Sequence, residues 1–274
     1  MEKGETYVQY GVLPRQGAIE ALRKLKASTK WKDNCRILDI GCGPGNVTHD
    51  YLLPTLPTST KEIIGIDISE EYIKYAEFHY GKNPILSYQL MDIVNDEVPK
   101  EYDNYFDYAI SFLCFQQFNN HKAAFEKIKK MLKPGGEMFC YFPTSTKSTD
   151  IFQCLAKQEK WKRYLHNYAL YCSPYKGSFN VEEDVKRFLT EMGFKILYLN
   201  FEERQYNFLD KNLPNITRAL AYENMKVPED LFHDFQEDAV AALRSLYVMK
   251  INENNEEYYD FSYKLVTFHI IKDK

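Results

Sequence analysis

The sequence has no excess of basic residues, no long apolar run and no paired cysteines, and each absence narrows the kind of protein it can be. Its 35 lysines and arginines against 39 acidic residues give a formal net charge of −4, which provides no basic surface for nucleic acid. No apolar stretch approaches the roughly 20 residues of a membrane span. The six cysteines stand singly, without a CxxC pair or a Cys/His cluster, so we expect free thiols and no metal site.

The beginning of the chain also lacks the apolar segment of a secretory signal. We therefore expect a cytoplasmic protein whose thiols stay reduced. The composition, 45% hydrophobic and 27% charged over 274 residues, is ordinary for one globular α/β domain with insertions. The 18 phenylalanines and 22 tyrosines indicate either an aromatic-lined apolar pocket or ordinary core filling. The oligomeric state stays open.

A short strand, a glycine-rich turn and the start of a helix follow one another between residues 36 and 53. The apolar run Arg36–Ile40 contains Asp39 and leads into three alternating glycines, Gly41, Gly43 and Gly45. Glycine tolerates a positive φ and lets the backbone approach a ligand closely, and a helix start offers unpaired N–H groups. The spacing is GxGxG, whereas the usual dinucleotide turn is GxGxxG, so a nicotinamide or flavin site is less favoured.

Strands and helices alternate from this turn to about residue 142, which predicts βαβ units and a parallel sheet. We expect one domain: residues 1–143 form a cofactor-binding core with an N-terminal helix, and 179–206 and 251–274 return to the sheet. The segments 144–178 and 207–250 are expected to be helical insertions that cap a pocket. Within them, the pattern predicts one helix over about 150–164 and two helical pieces over 207–249.

Acidic residues end the second and third predicted strands. Asp67 lies 22 residues beyond Gly45 (67 − 45), where a carboxylate can accept hydrogen bonds from both hydroxyls of a ribose. Asp92 can accept from an exocyclic adenine amine, while Ile93 packs on the ring. Because the carboxyl ends of parallel strands meet at one edge, these groups are expected to share a crevice with the glycine turn.

Five motifs in order resemble those of class I S-adenosylmethionine-dependent methyltransferases. They are Leu38–Gly45, Gly65–Ser69, Met91–Ile93, Phe106–Ser111 and Leu132–Gly136. The resemblance implies a Rossmann-like fold with a mostly parallel seven-stranded sheet, helices on both faces, and S-adenosyl-L-methionine as cofactor. The cofactor-binding residues that it implies are Asp39, Gly41, Gly43, Gly45, Asp67, Ile68, Asp92, Ile93 and Ser111.

Over its whole length the chain is similar to insect juvenile hormone acid methyltransferases, which act on the carboxylates of small apolar acids. The similarity includes Gln16, which matches a family glutamine implied to hold the substrate carboxylate. The chain departs from the family where Leu-His-Trp is usual, because it has Phe115-Gln116-Gln117 there. By analogy Gln117 becomes a second positioning donor. A divergent paralogue that only binds the cofactor is the alternative, as is a methyltransferase for an amine or phenol.

A carboxylate acceptor suits a site without a catalytic dyad. A carboxylic acid is already ionised near neutral pH, so in-line attack on a sulfonium methyl needs alignment and exclusion of water, not a general base. Together with this chemistry, the resemblance implies a carboxyl O-methyltransferase for a small apolar acid of the juvenile hormone acid or farnesoic acid type.

Overall fold

The computed structural model describes residues 2–145, 148–213 and 227–273. Its strands, in chain order, are β1 (Arg36–Ile40), β2 (Glu62–Asp67), β3 (Leu86–Leu90), β4 (Phe106–Phe112), β5 (Leu132–Pro143), β6 (Phe194–Leu209), β7 (Met249–Ile251) and β8 (Glu257–Lys272). Within the described residues these strands form one sheet in the order β3-β2-β1-β4-β5-β8-β6, with the short β7 paired to β8. The first five strands are parallel, and β6, β7 and β8 pair antiparallel. This confirms the mostly parallel sheet; β7 adds a three-residue strand beyond the predicted seven.

Helices cover both faces of the sheet. They are α1 (Glu2–Tyr10), α2 (Val12–Ser28), α3 (Glu70–Tyr80), α4 (His121–Met131), α5 (Ser148–Leu155), α6 (Glu159–Leu165), α7 (Val181–Glu191) and α8 (Phe232–Leu246). Local sequence explains several of the helix starts. The side chains of Ser69, Asn120 and Asn180 each accept a hydrogen bond from the backbone N–H group three residues later. The Ser69 cap sets the start of α3 in this way.

The sheet is buried on both sides, and alternation along β1 divides the core. Ile37 faces the cluster formed with α2 and α3, whereas Leu38 and Ile40 face the cluster formed with α4 and α7. A parallel strand that helices cover on both faces has a nearly continuous run of apolar residues. This is why β1 could be predicted from the sequence. The only acidic residue of the run, Asp39, is itself 3% exposed.

The antiparallel pair β6 and β8 extends past the carboxyl edge of the parallel strands. The last residue of β5 to pair with β8 is Pro143, opposite Leu265, but β6 and β8 stay paired as far as Leu209 and Tyr258. Helices α5, α6 and α8 pack on this projecting ribbon around a third apolar cluster that includes Trp161. The two segments that were predicted to form a cap thus contribute to one apolar cluster at the edge where ligands bind in such folds.

Several predicted boundaries differ from the structure. The helix expected over 150–164 is two helices, α5 and α6, with a break at 156–158. Strand β6 runs to Leu209, past residue 206, where the segment expected to return to the sheet ends. Of the two helical pieces expected over 207–249, the second is confirmed as α8, and residues 214–226 of the first lie outside the described residues. Residues 2–10 form α1, a helix in addition to the one N-terminal helix that was expected before β1.

None of the helices in the described ranges has the length and apolarity needed to cross a bilayer.

Candidate functional site

The glycine loop after β1 is held in a left-handed backbone path against two neighbouring strands. Gly41, Gly43 and Gly45 have φ values of +72°, +55° and +79°. The Gly41 and Cys42 amides donate to the Ile66 carbonyl at 2.8 and 3.1 Å, which fixes the loop to the end of β2. A Cβ on Gly41 would lie 2.4 Å from the Cys114 sulfur, so only glycine fits there.

Gly43 differs from its two neighbours because its α-carbon faces open space. No heavy atom lies within 4 Å of the position that a Cβ would take, whereas a Cβ on Gly45 would lie 2.8 Å from Ala76. Gly43 also lines the cavity at the carboxyl edge of the sheet. The loop therefore leaves room at this one position for a ligand to contact the backbone.

The cavity beside the loop is bounded by the loop, by the end of β4 and by the N-terminal helices. Its lining residues are Tyr7, Arg15, Ala18, Asp39, Gly41, Cys42, Gly43, Pro44, Asn46, Val47, Phe112 and Leu113. Asp39, Gly41 and Gly43 were predicted from the sequence. Arg15 and Asn46 were missed, although Arg15 adjoins the predicted Gln16 and Asn46 directly follows the last glycine of the loop.

Asp39 is a buried carboxylate in this cavity. Burial raises the pKa of its carboxyl group to about 6, the Thr48 hydroxyl bonded to it acts in the opposite direction, and the nearby charge of Asp67 raises it further. Two carboxylates at the ends of adjacent strands therefore repel each other across the floor of the site. A bound cation would relieve this repulsion.

Arg15 and Asn46 provide complementary polar groups around the same cavity. The Arg15 guanidinium donates one hydrogen bond, to the Val8 carbonyl at 2.9 Å, out of the five N–H groups that it carries. Asn46 is 4% exposed, and its Oδ1 is buried without a hydrogen-bond partner. A buried acceptor without a donor is costly, so it calls for a ligand group or a water molecule that donates to it.

Asp67 already takes part in the local backbone structure. Its Oδ2 accepts from the Gly43 amide and its Oδ1 from the Ser69 amide, each at 2.9 Å. Asp67 thus links the glycine loop to the start of α3. Each carboxylate oxygen can accept more than one hydrogen bond, so the predicted contact with a ribose is compatible with these two.

Asp92 is likewise bonded within its own turn. Its two oxygens accept from the Val94 amide at 2.8 Å and from the backbone and side-chain N–H groups of Asn95 at 3.1 and 2.7 Å. The sequence pointed to an adenine contact, and the observed bonds show an Asx-type turn that shapes the end of β3. The adenine contact stays a prediction.

The remaining predicted cofactor residues fall into exposed and buried positions. Ile68 is 51% exposed beside Asp67, so its apolar side chain is open to a flat ring. Ile93 is 7% exposed and packs in the core. Ser111 is fully buried, and its hydroxyl donates to the Ile40 carbonyl at 2.9 Å, so it supports the loop by joining β4 to β1.

The two residues predicted to hold the methyl-accepting substrate belong to elements near the end of β4. Gln16 is exposed on α2, and the adjoining Gly17 packs on Leu113, since a Cβ there would lie 3.0 Å from the Leu113 side chain. Gln117 is half-buried in the short turn after β4. Neither is among the described residues that line the cavity. The side-chain amide of Gln116 donates one of its two N–H groups to the Leu113 carbonyl at 2.7 Å.

The chain belongs to a family of methyltransferases. A family model described as a methyltransferase domain matches residues 31–200, which contain the glycine loop and the acidic strand ends. Together with the sheet order, this makes the chain a class I, S-adenosylmethionine-dependent methyltransferase.

Among individual proteins, the chain is similar to the juvenile hormone acid O-methyltransferase of Bombyx mori, at 27% identity over 99% of this chain and 98% of that protein. The fold is similar to that of the YcgJ protein from Bacillus subtilis, with a TM-score of 0.56 over 93% of this chain and 99% of that one, at 16% identity. It is also similar to Haemonchus contortus phosphoethanolamine N-methyltransferase 2, solved in complex with S-adenosyl-L-methionine. There the TM-score is 0.50 at 18% identity, over 93% of this chain and 52% of that one.

Proposed function

We propose that this protein transfers the methyl group of S-adenosylmethionine to the carboxylate of a small apolar acid. The observation that carries the cofactor part is the arrangement around the cavity, where the buried Asp39, the unpartnered Asn46 oxygen and the Arg15 guanidinium surround an open glycine. S-adenosylmethionine supplies an electrophilic methyl on a sulfonium, and its amino-acid end carries an ammonium and a carboxylate. Acidic and basic groups on one cavity fit those opposite charges.

The residues would divide the cofactor between them. Asp39 and the Asn46 oxygen accept from the ammonium group, and Arg15 pairs with the carboxylate. Asp67, beside the exposed Ile68, accepts hydrogen bonds from the ribose hydroxyls. Asp92 accepts from the adenine amine, and Ile93 packs on the ring. Gly43 lets the backbone approach, because it has no side chain in the open space.

The acceptor part of the proposal rests on the similarity to the juvenile hormone acid enzyme and on the chemistry of the turn after β4. An ionised carboxylate needs orientation only, so side-chain amides are sufficient there. The proposed donors are Gln16, whose neighbour Gly17 packs on Leu113, and Gln117, in the turn that follows β4. Residues 144–178 and 207–250, proposed as the cap of this single domain, would enclose the apolar tail.

One observation favours a second candidate, a paralogue that binds the cofactor without acting on such acids. The family's usual histidine is replaced by Gln116, one of whose two side-chain N–H groups donates to the Leu113 carbonyl and whose Oε1 is buried without a partner. That bond holds the Gln116 side chain against its own turn and leaves one N–H group for an acceptor carboxylate. The substitution therefore changes the donors available to the methyl acceptor, as a paralogue that has lost this activity would.

The proposed class of methyl acceptor is tested by incubating the protein with methyl-labelled S-adenosylmethionine and a panel of farnesoic, juvenile hormone and fatty acids. We expect a labelled methyl ester from at least one acid and none from farnesol, which has the same apolar tail without the carboxylate. Cofactor binding with no ester from any acid would support the second candidate. Methylation restricted to amines or phenols would replace the proposed acceptor class.

The role of Arg15 gives a separate expected result. Arg15→Gln should weaken binding of S-adenosylhomocysteine, which retains the same amino-acid end, by about 10-fold, because a charge-assisted hydrogen bond is lost. Arg23→Gln, an exposed position on the same helix, removes the same charge and should leave the affinity unchanged. Calorimetric titration measures both. Equal losses in the two variants would mean that Arg15 acts through net charge and not through contact.

A further inference from the structure

The helical segment that follows the glycine loop begins with a wide turn. The Leu53 amide donates to the Thr48 carbonyl five residues earlier, so Thr48–Leu52 is a π-helical turn and not an α-helical one. Such turns are rare and are found frequently at functional sites. Thr48 is fully buried at the start of this turn. No sequence pattern indicates this turn, since the segment has the pattern of an ordinary helix.

The side chain of Thr48 points to the floor of the cofactor site. Its Oγ1 donates to Asp39 Oδ2 at 2.6 Å. A hydroxyl donating to a charged oxygen at this distance makes a strong hydrogen bond. With one carboxylate oxygen held from the helix side, the orientation of Asp39 is set, and Oδ1 is the oxygen left for a ligand.

We propose that Thr48 is a positioning residue for the cofactor: its hydroxyl orients Asp39 and stabilises its charge, so that Asp39 can receive the ammonium group of the cofactor. The cofactor half of this inference rests on the proposed function. The effect of Thr48 on Asp39 does not, because it concerns two residues of the unliganded protein.

The electrostatic surroundings explain why Asp39 needs such a donor. The titratable and charged groups that face it from the neighbouring elements are Asp67, Cys42, Cys114, Tyr88 and Arg15. Burial raises the pKa of both thiols and of the tyrosine, so these three stay neutral near pH 7. Burial and the charge of Asp67 both favour protonation of Asp39, and the Thr48 hydrogen bond opposes it.

The experiment compares Thr48→Val, which keeps the shape and removes the donor, with Thr48→Ser, which restores the hydroxyl. The titration of Asp39 is followed by carboxyl carbon NMR in the unliganded protein. We expect the pKa of Asp39 to rise by about 1 or more in the valine variant and to return toward the wild-type value in the serine variant. A structural role alone would not move this titration. Thr48→Ala gives the same readout if the valine variant does not fold.

The second measurement is the affinity for S-adenosylhomocysteine between pH 5.5 and 7.5. The fall in affinity at low pH should move upward with the Asp39 titration, so that Thr48→Val binds about 5-fold more weakly than wild type at pH 6. An unchanged Asp39 titration in Thr48→Val would overturn the proposal, and so would unchanged binding at every pH. If the Asp39 titration moves in Thr48→Val but the wild-type protein itself binds no cofactor, the effect of Thr48 on Asp39 stands and the proposed function is refuted.

Discussion

Gly43→Ala is expected to weaken cofactor binding about 100-fold while the protein still folds. The added methyl meets no protein atom within 4 Å, so the fold bears only the strain of alanine at a φ of +55°, about 1–2 kcal/mol. The same methyl projects into the space where the backbone must approach the cofactor. A steric conflict of about 3 kcal/mol corresponds to a roughly 100-fold loss of affinity, measured by calorimetry with S-adenosylhomocysteine.

Gly135→Ala is the matched control. Gly135 has a φ of +69° and also has no heavy atom near its Cβ position, but it lies before the main run of β5, at the opposite edge of the sheet. The Gly135→Ala variant should lose a similar amount of folding stability and keep its affinity for S-adenosylhomocysteine. Gly45→Ala should instead destabilise the fold, because its methyl would lie within 2.9 Å of Ala76 and the Tyr88 ring. Wild-type affinity in Gly43→Ala would show that the ligand does not lie over this loop.

The cofactor half of the fold was readable from the sequence because its determinants are local. Buried parallel strands produce continuous apolar runs, and the turns that follow them need glycine or an acid at fixed positions. The end of β2 at Asp67 and the start of α3 after Ser69 are both set by residues within a few positions of each other. Short-range rules therefore predict them correctly.

The cap was predicted less well because its structure depends on contacts between distant segments. No proline or glycine marks the break between α5 and α6, and what fixes α6 is the Trp161 indole, which donates to Asp238 at 2.8 Å, 77 residues away. Helix α1 is similar: it lacks an apolar period, and its Gly4 packs against the Tyr75 ring of α3. Tertiary packing outweighs local propensity in such segments.

The candidate site shows the same division. The glycines and Asp39 were predicted because they stand in a recognisable strand-and-turn pattern, whereas Arg15 reaches the cavity from a helix more than 20 residues earlier. The role of Thr48 depends on a π turn, which no periodicity reveals. Local sequence thus predicted several residues that lie at the floor of the candidate site, and the structure was needed to find the groups around them.

Asp39→Asn is expected to stabilise the protein while weakening its cofactor binding. The folded-state pKa of about 6 lies above the value near 3.9 of an unfolded chain, so the folded protein holds the proton more tightly. Wild-type stability therefore falls as pH rises from about 4 to 6, and the ionised form is the less stable one above pH 6. Asparagine has no charge to bury, so folding stability no longer falls over this pH range. The variant should therefore be more stable than wild type by on the order of 2 kcal/mol at pH 7.

Cofactor binding should change in the opposite direction. Asparagine can still accept from Thr48, so the geometry of the floor is kept, but the negative partner of the ammonium group is lost. The affinity at pH 7 should fall by about 10- to 100-fold, as for the loss of a charge-assisted hydrogen bond, and its dependence on pH near 6 should disappear. Denaturant unfolding at pH 4.5, 6 and 7 measures the first effect and calorimetric titration the second.

The opposite signs of the two effects distinguish a functional carboxylate from a structural one. A buried acid that only served the fold would lose stability on substitution, and its removal would affect binding no more than the damage to the fold requires. We expect Asp39 instead to be a group whose charge is unfavourable among its protein neighbours alone and favourable beside a cation. An Asp39→Asn variant that is less stable at pH 7 and binds the cofactor as wild type does would show that the acidic floor serves the sheet and not the ligand.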